Sequence, residues 1–112
     1  MDVVNLVEKA LNVRSFYHKI LSGNIANVET PNYKEKDIDF LKELEKQMGG
    51  ASAVEVKEKT EDSGMNSLDG NTVDIEKQMV KMTENSMVYN SLVQIITKKF
   101  SMMRYMINEG KR

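Results

Sequence analysis

The sequence predicts an all-α fold. Long N- and C-terminal helices form an antiparallel, coiled-coil-like hairpin, with a short middle helix and a flexible linker between them. Three observations carry this expectation. Apolar residues recur at alternating four- and three-residue steps at both ends of the chain. The single proline lies between those runs and interrupts neither. A stretch rich in Gly, Ser and acids separates the second run from the rest.

Residues 1–30 form the first helix and its exit. Leu6, Ala10, Val13, Tyr17 and Ile20 make a heptad seam that begins one step after Val3. Val7, Leu11, Phe16 and Leu21 widen it. The same steps lead on to Asn24 and Asn27, where polar residues replace apolar ones. A turn, "ETPNY", follows at once. Pro31 biases Thr30 away from helical angles and suits the second position of a β-turn; Asn32 tolerates the left-handed conformation often needed next. Two readings of the asparagines stand side by side. They set the axial register against a partner helix, or they only satisfy the helix end and the turn.

Residues 31–50 hold the turn and a short amphipathic helix, with Ile38, Leu41, Leu44 and Met48 at helical spacing. Asp37 or Asp39 caps its start and Gly49-Gly50 ends it. Residues 51–71 read as a flexible linker, because no apolar period lasts there. Val54 and Val56 alternate with charges and allow a brief extended stretch.

Residues 72–112 form the last helix, with Asn71 as its expected cap. Ile75, Met79, Met82, Ser86, Tyr89, Val93, Ile96, Phe100, Met103 and Ile107 step four-three without a slip. Val88, Leu92, Ile95, Met102 and Met106 form a second apolar row beside them. One partner helix needs only one seam, so two rows imply several neighbours. At 1.5 Å per residue this helix spans on the order of 55 Å. A hairpin of two such helices leaves the second row uncovered, and an uncovered apolar strip marks an interaction surface.

The composition argues against chemistry. With 112 residues, 29% of them charged, and a net charge of −1, the chain lacks the basic excess of a nucleic-acid binder. There is no cysteine, and His18 is the only histidine, so no His/Cys metal site can be built. No phosphate-binding glycine loop, zinc-protease helix motif or serine-nucleophile elbow occurs. The expectation is a non-enzyme with no cofactor and no small-molecule substrate. The N-terminal stretch carries charges throughout, so it does not read as a cleavable signal peptide.

The stretch "LSGNIANVETPNYK" resembles the signature of the bacterial flagellar rod and hook proteins. Asn24, Ile25, Ala26, Asn27, Thr30, Pro31, Tyr33 and Lys34 match in order, and Asn32 stands where that family usually has Gly. The C-terminal half resembles the end of a proximal rod subunit of that family, through Val73, Asp74, Glu76, Glu84, Asn85, Tyr89, Lys99, Phe100, Arg104, Ile107 and Gly110. The resemblance implies a structural subunit of the basal-body rod, exported by the flagellar type III apparatus without a cleaved signal. It implies assembly as a homo-oligomer with other flagellar rod subunits and with the adaptor that joins the rod to the MS ring. Assembly residues would be the signature positions together with Tyr89, Ile96, Phe100, Met103 and Ile107. Phe40 and Leu44 fit a short export-gate element. The alternatives are another rod protein of the same family, or a free-standing helical adaptor or chaperone that binds a partner helix.

Overall fold

The computed structural model describes residues 2–50, 53–59 and 70–110. Its elements in chain order are α1 (Val3–Ala26), β1 (Lys36–Asp37), α2 (Phe40–Met48), β2 (Lys57–Glu58) and α3 (Ile75–Gly110). The expected all-α hairpin is present, and the molecule is drawn out to 71 × 26 × 18 Å. No helix among the described residues is long and apolar enough to cross a membrane.

Local chemistry sets the helix boundaries. At the start of α1 an Asp2 carboxylate oxygen accepts from the Val4 amide at 3.1 Å, satisfying one of the free amides of the first turn. At its end the Asn27 amide still reaches the Gly23 and Asn24 carbonyls. A β-turn then closes from the Tyr33 amide to the Thr30 carbonyl, with Asn32 at φ +62°. Asp39 caps α2 through the Lys42 amide, while Asp37 turns back onto the Ile38 amide. Gly49 ends α2, and Gly50 follows at φ +92°.

Two expectations are corrected here. Asn71 does not cap α3. Asp74 does, accepting from the amides of Glu76 at 3.1 Å and Lys77 at 3.4 Å. Nor is all of 51–71 a solvated linker. Residues 51–52 and 60–69 lie outside the described residues. Of the rest, Lys57 and Glu58 pair antiparallel with Asp37 and Lys36, and Asn71 is buried. Asn71 finds backbone partners at the exit of α1, so its burial is tolerated, while Lys57 and Glu58 stay exposed and pair through their backbones with β1.

α1 and α3 run antiparallel, with Asn24 beside Gln78 and Arg14 beside Asn85. The buried face of α1 is Val7, Ala10, Val13, Leu21 and Asn24. This frame is turned from the expected seam: Leu6 is exposed, and Tyr17 and Ile20 are half-buried. The turn has a cause, since α2 also packs on α1 and widens its covered side. On α3 the buried residues are Gln78 and Asn85, while Ile75 and Met79 of the expected seam face solvent. Met82, Ser86, Leu92 and Ile96 are half-buried, so the inward row runs through 78, 82, 85, 92 and 96, while Tyr89 is exposed.

Candidate assembly surface

A polar joint locks α1 to the base of α3. Asn24 is fully buried, and each end of its amide is used twice. Its nitrogen donates to the Lys36 carbonyl at 2.8 Å and to Gln78 Oε1 at 2.9 Å. Its oxygen accepts from the Lys36 amide at 3.0 Å and from the Tyr33 hydroxyl at 3.2 Å. Gln78 Nε2 passes the chain on to Glu35 Oε1, and Lys81 Nζ lies 3.8 Å from both Glu35 and Asp37. A buried amide whose four hydrogen-bonding sites are all filled fixes one orientation and one register.

Asn71 and Thr72 close the joint from the far side. Asn71 Nδ2 donates to the carbonyls of Asn27, Val28 and Thr30, the loose end of α1. Its oxygen accepts from the Val73 amide at 2.8 Å. Thr72 Oγ1 accepts from the Glu35 amide at 2.7 Å and donates to the Lys59 carbonyl at 3.0 Å. Gly70 is needed beside them. It sits at φ +76°, and a Cβ there would meet Asn32 Oδ1 at 2.6 Å.

Asn27 plays a local part. Its nitrogen donates to the Gly23 carbonyl at 2.8 Å, and its oxygen accepts from the Thr30 hydroxyl at 3.0 Å. Among the described residues, then, Asn24 reaches the returning helix and Asn27 serves the helix end and turn. Ile25 is half-buried, whereas Ala26, Thr30 and Pro31 are exposed.

Halfway along the hairpin, Arg14 and Asn85 exchange hydrogen bonds. Arg14 Nη1 donates to Asn85 Oδ1 at 3.3 Å, and Asn85 Nδ2 donates to the Arg14 carbonyl at 2.9 Å. The Arg14 guanidinium lies 3.8 Å from the centre of the Phe40 ring, which brings α2 onto the pair. Tyr17, one turn on, has its phenol pushed up to about 12 by burial and by the neighbouring Asp37 carboxylate.

The apolar surface lies elsewhere. Among the described residues five hydrophobic side chains are buried against seven polar or charged ones, so the interior they form is mainly polar. Most of the large apolar side chains left exposed belong to α3. Every residue from Thr97 to Gly110 is exposed, a length of about 20 Å at helical rise. Phe100 is 48%, Met103 44% and Ile107 58% exposed, at four-three spacing along one line. Tyr89 is exposed and Ile96 half-buried further down that line. An apolar row of this length at the surface is the informative departure from ordinary burial.

No family model matches the chain. Individual proteins do, over about nine-tenths of their length. The flagellar basal body rod protein FlgB of Salmonella typhimurium is 31% identical over 127 residues, covering 92% of this chain and 91% of that protein. FlgB of Escherichia coli K12 is 30% identical over the same shares of the two chains. FlgB of Bacillus subtilis is 29% identical, covering 94% of this chain and 92% of its own length. The chain belongs to the FlgB family. It is a structural component of the flagellar basal-body rod, not an enzyme.

Within this FlgB-family chain, the structure brings Asn24 and Tyr33 together in the polar joint and leaves Phe100, Met103 and Ile107 apart from it, on the free half of α3. Phe40 and Leu44 are half-buried, Phe40 beneath Arg14. Sequence reasoning missed Glu35, Gln78 and Thr72, and mistook Asn71 for a cap. Gln78 had one available signal: with Asn85 it falls on a four-three frame, one step before the apolar frame. Two buried amides on one helix opposite Asn24 on the other would have marked the polar side as the inner one.

Proposed function

We propose that this chain builds the rod by burying the free half of α3 against the terminal helices of neighbouring subunits, with the polar joint fixing the hairpin that presents it. The single observation that supports this most is the exposed run from Thr97 to Gly110, with Phe100, Met103 and Ile107 in one row. Tyr89 and Ile96 continue that contact toward the hairpin. The signature residues Asn24, Ile25, Ala26, Asn27, Thr30, Pro31 and Tyr33 shape the end from which α3 departs.

On this reading the neighbours are further copies of the chain, other rod subunits and the adaptor at the MS ring. The chain reaches them through the type III export apparatus. Phe40 and Leu44 are read by that apparatus before folding, since the Arg14 guanidinium covers Phe40 once α2 is in place. The test is deletion of the gene, followed by electron microscopy of isolated basal bodies. Rings without a rod, restored by the intact gene, are the expected result. Complete rods in the deletion strain would defeat the proposal.

A further inference from the structure

Arg14 is a cation on the covered side of the hairpin with no carboxylate partner among the described residues. The described ion pairs join Lys42 and Lys46 to Glu55, Lys46 to Glu43, and Lys81 to Glu35 and Asp37; none includes Arg14. Its Nε is buried and has no hydrogen-bond acceptor among the described residues. Burial also pulls its pKa below the ordinary arginine value, so the charge is held at a cost. A guanidinium offers five N–H donors, and Asn85 takes one of them.

Open space borders Arg14 on two sides, and the two sides differ in charge. One groove, of about 310 Å³, is lined by Arg14 and Lys81 but also by Asp37 and Glu84. A further anion would meet two carboxylates there. The other groove, of about 290 Å³, is lined by Arg14, Ser15, His18, Asn85, Ser86, Tyr89 and Asn90. It has no acidic residue, and its hydroxyls, amides and imidazole can all donate to an anion.

We propose that this second groove receives an aspartate or glutamate side chain of a neighbouring rod subunit. The inference rests on the assembly reading above. Tyr89 forms part of the groove wall and also stands on the apolar line proposed to meet the neighbour, so the groove is continuous with that contact. A carboxylate there takes a charge-assisted bond from the Arg14 side chain that lines it and supplies the charge partner that the described ion pairs do not. The site thus fixes where along the hairpin a neighbour settles, while the apolar row supplies the adhesion.

The test uses Arg14→Met, which keeps a long apolar stem over Phe40 and removes the charge. Asn85 Oδ1 loses one hydrogen bond, so the melting temperature of the purified variant should fall by about 4–8 °C. The yield of basal bodies with complete rods should fall at least about tenfold. An undiminished yield overturns the proposal, and so does a yield lost together with a larger fall in melting temperature, which makes Arg14 an internal support. Arg14→Glu gives a second arm. Revertants that regain swimming should carry Asp or Glu changed to Lys or Arg in a rod subunit. Revertants confined to Asn85 or Phe40 overturn the proposal. The gene deletion described above separates the two failures, because only complete rods in that strain defeat the assembly reading itself.

Discussion

At the scale of single residues, the stability of the hairpin is concentrated in amides. Asn24 fills all its hydrogen-bonding sites in a fully buried position. Replacing it with Leu strands the Lys36 backbone groups, the Tyr33 hydroxyl and one end of Gln78. Asn24→Leu should therefore lower unfolding free energy by about 2–4 kcal/mol, since each buried group left unpaired costs about 1–3 kcal/mol. Asn27→Ala should lower it by only about 1 kcal/mol, because both its bonds are local. Urea titration of the two variants measures the contrast; equal effects would mean the joint does not carry the register. Tyr17 supplies a pH signature. Its folded pKa of about 12 lies above the ordinary 10, through burial first and Asp37 second. A raised acid pKa means the folded state keeps the proton longer than the unfolded state. The associated stability is complete below about pH 10 and is lost as pH rises toward 12. Wild type should thus lose more stability than Tyr17→Phe across that interval in parallel urea titrations.

At the scale of elements, α3 has two parts with different work. The part up to Ile96 meets α1 through Gln78, Asn85 and the half-buried Met82, Ser86 and Ile96; the part from Thr97 to Gly110 is exposed throughout. Substituting Phe100 and Ile107 together by Ser should shift folding free energy by no more than about 0.5 kcal/mol each, as for other exposed positions, and should abolish swimming. A large loss of stability would mean the outer half packs within the single chain. The same division explains what the sequence made legible. Helix existence, the Pro31-Asn32 turn and the Asp39 cap follow from local rules that tertiary contacts did not override. The inward frame did not follow. Period alone places apolar residues inside, and here the apolar line of α3 faces out while Gln78 and Asn85 face in. Their burial depends on partners brought from 35 and 14, and the shared frame of the two amides was its one trace in the sequence. β2, Asn71 and Thr72 were missed for the same reason.

At the scale of the whole molecule, the chain is a fragment of a larger core. A compact domain of this length buries roughly 60–70% of its unfolded surface. This chain instead extends to 71 Å, and among its described residues five hydrophobic side chains are buried. The polar joint gives it a defined hairpin, and the exposed line on α3 gives it a reason to assemble. That combination suits a part that must stay separate until it reaches its place. The absence of cysteine makes the point directly measurable, because a single introduced thiol is the only reactive one. With Ile107→Cys, maleimide labelling can be timed on the isolated chain and on purified basal bodies. Burial of the outer half of α3 in the rod predicts fast labelling of the isolated chain and labelling slowed at least about tenfold in the basal body. Equal rates in the two states would contradict it.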